Sequence, residues 1–552
     1  MAEINFDQEE LDSSQIREYF DDATILITGA TGFLGKLILE KLLRSFTNLR
    51  RIYLIVRPKK GQSIRQRLET VLEDQLFNRV RSATPNFAEK LFCIRGECAR
   101  NDLGLNADDK KLLTQEVSCV FHCAALMDFE EKLRQSTYVN VRATKDLIRL
   151  AKSMKNLKSF IHVSSVFAHS SKDSVNEEFY KSSINCQQLL TIVDAFDDVI
   201  ATSQEPIPGW IENLYGPTGL LVAVNLGLAR STLANPKYTI DVVPADYVVN
   251  LAIAASWNIA NLQALNENQE LVARRRNIEA EIPIYNAVSS PENPITWEKY
   301  ISLSRKYSSK IPSTLLVSHS SNKINSNRFL HYLYVILLHY IPAIFIDLTM
   351  FCWGKPPLLL RTYRKIDEFT ETFKHFTLTQ WYFKNTNTQA LWKKLNATDR
   401  QLFEFDMSCL NWQTYYYVYM RGIRIYVLKD PLETVITGAA KYFKLKIMHY
   451  ICIAVVCFFA EMTLTTEELV NMVFILGECQ KCPLLASRIY ASRYPEYERK
   501  PRPRFQQTGI NKPVTNEANQ LTVLLAVEEN PQESTSGIER VSGIECTSIK
   551  RI

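Results

Sequence analysis

The sequence predicts an α/β fold: a Rossmann-like, doubly wound parallel sheet, with a small helical C-terminal domain and a helical tail. Three observations predict it. The apolar, β-branched run Thr24–Thr28 (TILIT) passes directly into a glycine-punctuated turn and then into helical periodicity over Lys36–Arg44. Further apolar runs at Arg51–Val56, Leu91–Ile94, Val117–Phe121 and Phe160–Val163 alternate with helical stretches, which is the rhythm of a parallel sheet. With 46% apolar and 22% charged residues, the chain can fill more than one core and is not globally disordered.

The turn after the first strand reads Gly29-Ala-Thr31-Gly32-Phe33-Leu34-Gly35. Strand, glycine turn and helix together are the context of a dinucleotide-binding fingerprint. Gly29 permits the tight turn, Gly32 lets backbone N–H groups approach a pyrophosphate, and Gly35 lets the helix lie close to the strand. The helix N-terminus then faces the phosphates. After the second strand stands Arg57, followed by Lys59 and Lys60, where an NAD enzyme would place an acid on the ribose 2′-hydroxyl. Cations there attract a 2′-phosphate, so the expected cofactor is NADPH. The strand ending in HCAAL offers the small side chains of Ala124 and Ala125 for close cofactor approach, and His122 reads as a packed strand residue rather than a ligand.

Charge and cysteines narrow the partners. The net charge is +6, and the stretch Lys481–Lys512 carries eight Lys/Arg and two Glu, so the rest of the chain is near neutral. Twelve cysteines are scattered, and Cys479 and Cys482 form the one close pair. Without a second pair or a nearby His, that pair does not predict a metal site, and the thiols fit a reducing compartment. The acidic start MAEINFDQEELDSS contains no apolar leader run.

Several blocks in order, TGATGFLGK, LIVRPKKGQS, FHCAAL, NVRATKDLIRLAKSMKNLKSFIHVSS, EPIPGWIENLYGPTG and VPADYVVNLAIAASW, resemble the fatty acyl-CoA reductases. These are alcohol-forming members of the extended short-chain dehydrogenase/reductase superfamily. The resemblance runs from about Asp21 to about Asp430. It implies NADPH-dependent reduction of a long-chain fatty acyl-CoA to a primary alcohol through an aldehyde. It also implies that Gly29, Thr31, Gly32, Phe33, Leu34 and Gly35 line the pyrophosphate and that Arg57 holds the 2′-phosphate. Glu97 takes the place of an Asp beside the adenine, and Ser165, with Ser164 its neighbour, polarises the substrate carbonyl. A membrane of the endoplasmic reticulum or peroxisome, with the catalytic domain facing the cytoplasm, is part of the same expectation.

One part of the chemistry is missing. Hydride transfer to a carbonyl leaves charge on oxygen, and a proton donor must meet it. The superfamily uses Tyr-x-x-x-Lys on one helical face, between the serine strand and the PGW loop. No such motif occurs in Ala168–Ser203. Tyr180-Lys181 has the wrong spacing, and the sole match in the chain, Tyr442 to Lys446, sits beside an apolar C-terminal run and reads as a basic flank. The stretch DAFDDVIATSQEPIPGW therefore joins two distant points of the family's sequence. An internal deletion near 198–201 is expected, taking the catalytic helix and the following strand, and with them most of the activity.

The second half completes the domain layout: an N-terminal segment 1–20, a reductase domain 21–310, a helical domain 328–430, an apolar membrane segment 447–460 and a tail 464–552. Trp210 and Tyr215 read either as acyl-chain contacts or as loop anchors. Ile284–Ser289 reads as the last strand, and NPITW as a helix start. Arg328–Trp353 is long enough to cross a bilayer, but Pro342, Asp347 and two His leave a membrane hairpin or a buried amphipathic segment equally open. Ile447–Ala460 is uncharged, shorter than the ~20 residues of a span, and follows Lys441, Lys444 and Lys446. The tail resembles helix-turn-helix modules of insect transposable-element proteins. Glu539 and Glu545 speak against DNA binding, so nucleic acid is not an expected partner. The rival to a reductase is a catalytically dead scaffold or a chimera with a DNA-interacting helix-turn-helix tail built on the same fold.

Overall fold

The computed structural model describes residues 14–58, 61–126, 136–169, 172, 174–180, 206–211, 216–273 and 282–463. Lys59, Lys60, Lys181, Tyr215, the junction at 198–201 and the tail 464–552 lie outside the described residues.

Five parallel strands, β1 (Thr24–Thr28), β2 (Arg51–Val56), β3 (Leu91–Arg95), β4 (Cys119–His122) and β5 (Ser159–His162), form a sheet in the order β3-β2-β1-β4-β5. All five residues of β1 are buried, as a strand covered by helices on both faces must be. Its side chains alternate between two cores. Ile25 and Ile27 pack into the larger one, which includes helix α1 (Phe33–Ser45), and Leu26 packs with Tyr53, Val120 and Leu147 on the opposite face. The register places Thr28, His122 and His162 at one level. The turns after β1, β4 and β5 therefore leave the same edge of the sheet. The strand order reverses between β1 and β4, and the crevice at such a reversal is where open α/β sheets take their ligands.

The later segments fold back onto this sheet. Helix α2 (Pro217–Asn225) follows the PGW loop, and helix α3 (Ala245–Ala273) contacts both β5 and α1. Helix α4 (Trp297–Ser308) starts at Thr296, whose hydroxyl accepts the Lys299 N–H as an N-cap. The expected strand at Ile284–Ser289 is not formed among the described residues, where the segment has no regular secondary structure. Its Asn286 is instead clamped by the Glu177 carboxylate on its N–H and by the Lys384 carbonyl on its side chain.

Arg328–Cys352 is one continuous helix, α5, with a π turn at Ile336–Tyr340 ahead of Pro342. A wider turn spares the backbone bond that a proline removes. Its polarity is inverted for a helix on a water-soluble surface. His331 (2% exposed), His339 (1%) and Asp347 (5%) face the protein, while Phe345 (66%) and Phe351 (70%) face outward. Each inward side chain makes at least one hydrogen bond, although His339 Nδ1 is buried without one. His331 pairs with the Ser231 hydroxyl at 2.8 Å, His339 accepts the Arg230 N–H at 2.9 Å, and Asp347 accepts three N–H groups at the start of helix α6 (Leu359–Leu378). The segment is thus one helix rather than a hairpin, and it is long and apolar enough to cross a bilayer.

Helix α7 (Trp412–Gly422) packs on α4 through a cluster of Tyr300, Tyr415, Tyr416 and Tyr419. Ser14 donates to Asp399 at 2.5 Å, and Lys41 of α1 donates to the Leu402 carbonyl at 2.7 Å. These contacts tie the segment 386–430 into the same core as the sheet, and the described residues through Ala454 form one compact unit. Helix α8 (Val435–Thr463) contains the apolar run 447–460 within 29 residues.

Candidate active site

The crook after β1 has the geometry its sequence predicts. Gly29 sits at φ +73°, and a Cβ there would lie 2.7 Å from the Ala124 nitrogen. A Cβ on Gly35 would lie 2.2 Å from the Gly29 carbonyl oxygen. A side chain at Gly29 would push the turn off the backbone after β4, and one at Gly35 would push the helix off the turn. Gly32 has an ordinary extended backbone and is the N-cap of α1, with no side chain capping the helix. The first-turn N–H groups of α1 are left for an anion. Phe33 stacks flat on Trp210 (ring centroids 5.2 Å apart, 6° between planes), and Leu34 is buried, so toward a pyrophosphate both present backbone only.

That stacking also decides between the two readings of Trp210. It is 3% exposed and anchors the PGW loop. Gly209 beside it, at φ +82°, lies against α7, where a Cβ on Gly422 would meet the Gly209 carbonyl at 1.8 Å.

Arg57 is exposed at the end of β2. A second guanidinium, absent from the sequence reading, lies beside it. Arg67 donates through Nη1 to the Arg57 carbonyl at 2.8 Å and through Nη2 to the Thr31 hydroxyl at 3.1 Å. Neither arginine has a carboxylate partner among the described residues. Partial burial, and then the neighbouring Arg57 charge, push Arg67 below the usual guanidinium range. Two crowded cations bridging the β2 exit to the glycine crook suit a phosphate on the adenosine ribose. The Glu97 carboxylate is ion-paired with Arg100 at 2.9 Å.

His122 is fully buried and works as a structural relay. The Thr144 hydroxyl donates to the Asn140 carbonyl, so His122 Nε2–H donates to Thr144 Oγ1 at 2.9 Å. Its Nδ1 then accepts from the Thr28 hydroxyl at 2.6 Å, and Thr28 accepts the Ala124 N–H at 3.3 Å. Asn140 holds both backbone groups of Leu126. The chain of bonds fixes the loop on which Ala124 lies.

Burial, and then the neighbouring His162, push the His122 pKa down to about 3. A neutral ring is thus built into the fold. The unfolded chain protonates below the ordinary imidazole value near 6.5, so this contribution to stability is complete above that pH and is lost as pH falls toward about 3. Between pH 6.5 and 5 the loss is about 2 kcal/mol. Chemical denaturation of H122N and the parent at both pH values is expected to show a shallower loss in H122N. Equal losses would place the titration elsewhere.

Ser165 follows β5, half-buried, and its Oγ accepts the Phe167 N–H at 3.1 Å. Ser164 is exposed. Tyr180 packs near Val166 and Phe167. Its hydroxyl accepts the Asn176 N–H at 2.6 Å, and the Lys172 ammonium lies over its ring, 4.1 Å from the centroid, rather than at the hydroxyl. That is not the paired tyrosine and lysine of a helical acid–base motif. Tyr442 and Lys446 lie on α8 and face the loop around His319 rather than the crook.

An apolar slot begins at Phe167, two residues past Ser165. It passes between α2 and α6, with Leu220, Phe369 and Phe373 common to its inner part and to an outer cavity of about 260 Å³. Among the described residues no group of three or more His, Cys, Asp or Glu could hold a metal.

A doubly wound sheet with a glycine crook at its switch point is the architecture of a nicotinamide-dinucleotide-binding protein. Two family models, both described as Male sterility protein, match the chain. The NAD-binding one covers residues 27–198 and 187–252, and the Sterile one covers 338–430. "Fatty acyl-CoA reductase wat" of Drosophila melanogaster is 31% identical over 489 residues, covering 80% of this chain and 92% of the relative. "Fatty acyl-CoA reductase 1" of Homo sapiens is 30% identical, covering 79% and 90%. The reductase domain of a nonribosomal peptide synthetase from Mycobacterium tuberculosis aligns over 77% of this chain and 96% of that one, at 15% identity and a TM-score of 0.48. The chain belongs to the fatty acyl-CoA reductase family.

Proposed function

We propose that this chain binds NADPH and a long-chain fatty acyl-CoA at a membrane surface, and that it reduces the thioester slowly or not at all. The observation that carries the reading is the glycine crook joined through Thr31 to the Arg67–Arg57 pair. NADPH bound there would supply hydride to the thioester carbonyl, coenzyme A leaving as its thiolate to give the aldehyde, and a second NADPH would supply hydride to that aldehyde. The crook and the α1 N-terminus bind the pyrophosphate, the two guanidinium groups take the 2′-phosphate, and Ala124 gives the room for close approach. Ser165 donates a hydrogen bond to the carbonyl oxygen as charge develops. The proton that oxygen finally needs has no Tyr-x-x-x-Lys tyrosine to come from in Ala168–Ser203. The NAD-binding family model breaks into two stretches that meet at 187–198, inside the interval that lacks the motif. The 489 aligned positions with the fly protein draw on 80% of a 552-residue chain, so some of them face no residue here. Both support an internal loss.

The acyl tail lies in the slot between α2 and α6. Substituting L220W is expected to displace about three methylenes, at ~0.8 kcal/mol each, and to weaken palmitoyl-CoA roughly fiftyfold. Acetyl-CoA, whose tail does not reach the slot, keeps its affinity. Calorimetric titration of both ligands checks this, and equal effects on the two would remove the tail from the slot.

Membrane attachment rests on the outward apolar face of α5 and on the exposed Phe443, Ile447 and Ile451 of α8. High salt and alkali are expected to leave the protein in the membrane fraction, with detergent needed for release. Release by salt alone would contradict it.

A further inference from the structure

A cavity of about 390 Å³ lies apart from the reductase site. It lies at the C-terminal end of α2, walled by α4, the loop 311–320, α7 and one face of α8. Close backbone approaches build it. Gly227, at φ +76°, lies where a Cβ would meet the Ser318 carbonyl at 2.2 Å, and a Cβ on Gly438 would meet the Pro312 carbonyl at 2.0 Å.

Its lining contains no Asp or Glu and four cations. Arg424 is spent within the fold, on the carbonyls of Ile311, Pro312 and Pro431 and on Asp430 at 3.3 Å. Arg305, Lys306 and Lys446 remain. Arg305 donates to the Asn322 carbonyl at 3.0 Å and Lys306 to the Gln413 side chain at 3.4 Å, and none of the three has a carboxylate partner among the described residues. His319 sits among them, with Nδ1 buried and unpartnered and its ring 5.4 Å from Tyr442 and 5.1 Å from His449. Burial, then His449, Lys446 and Arg305, push it below the usual imidazole range, as a neutral ring in a positive field must be.

Tyr442, Lys446 and Tyr450 recur every four residues on the cavity face of α8. The neighbouring face of the same helix carries the exposed apolar residues Phe443, Ile447 and Ile451. A phosphate in the cavity and acyl chains along that stripe would satisfy both faces at once.

We propose that this cavity binds the phosphate of an anionic phospholipid, with Arg305, Lys306 and Lys446 as its cations and the lipid's chains on the apolar stripe of α8. The site is independent of the reductase reading: no residue of the crook or of the acyl slot's inner part supplies a cation to it.

The test uses the full chain in neutral detergent, titrated with dioctanoyl phosphatidic acid, dioctanoyl phosphatidylcholine and inorganic phosphate. Phosphatidic acid is expected to bind at least tenfold more tightly than either of the others. R305Q/K446Q is expected to lose that tenfold preference, and K446Q alone, on an exposed helix face where misfolding is not at issue, to lose part of it. K355Q/R361Q removes the same charge outside the cavity and is expected to keep the preference. Retention of the preference in both cavity variants, or its equal loss in K355Q/R361Q, would overturn the site. Inorganic phosphate binding as tightly as phosphatidic acid would overturn the lipid assignment.

Discussion

The double variant R57Q/R67Q is expected to bind NADPH at least a hundredfold more weakly than the parent, with NADH affinity nearly unchanged. Each guanidinium that meets a phosphate makes a charge-assisted hydrogen bond worth ~1.5–3 kcal/mol, and NADH has no phosphate at that position. The two residues act from one place. Arg67 is tied by its own hydrogen bonds to the Arg57 carbonyl and the Thr31 hydroxyl, so its fork is held in position before the ligand arrives. Each single variant is expected to lose roughly tenfold or more. Fluorescence titration with both cofactors measures this. Parallel losses for NADPH and NADH would mean that the arginines serve the fold rather than the 2′-phosphate.

Inserting a relative's helix and strand between Asp198 and Ala201, so that Tyr-x-x-x-Lys returns after Ser165, is expected to raise turnover of palmitoyl-CoA by about 10²–10⁴. That is the usual contribution of a placed general acid. The crook, the serine after β5 and the apolar slot between α2 and α6 are already in place. In the insert, mutating the restored tyrosine to phenylalanine is expected to bring turnover back to the parent level while palmitoyl-CoA binding stays. An insert that folds and binds both ligands without faster turnover would show that more than the acid–base pair has been lost.

Much of this was legible in the sequence because it is local. Strand, glycine turn and helix follow one another within about twenty residues, and a Cβ at Gly29 or Gly35 has nowhere to go. The His122 reading also held, since a histidine inside an apolar strand is satisfied by its neighbours. Arg67 escaped because nothing in the pattern separates it from Arg65 on the same exposed helix. Only the fold brings it to the Arg57 carbonyl. The apolar slot escaped for the same reason, with Leu220 and Phe373 far apart in the chain. Ile284–Ser289 has the composition of a strand, but side-chain clamps from Glu177 and toward Lys384 occupy Asn286 where a ladder would run. In α5 the polar residues that made a membrane helix doubtful turn out to face the protein. Composition records those residues but not the side of the helix on which they lie.

One measurement tests the central claim most directly. The unmodified full-length chain is mixed with NADPH and palmitoyl-CoA. Cofactor fluorescence then reports binding while nicotinamide absorbance reports hydride loss in the same cuvette. Saturable binding with hydride loss slower than about 0.1 per second is the predicted result, from enzymes' usual ~10 per second reduced by a missing general acid. Hydride loss at about one per second or faster, or no NADPH binding at all, would contradict the account.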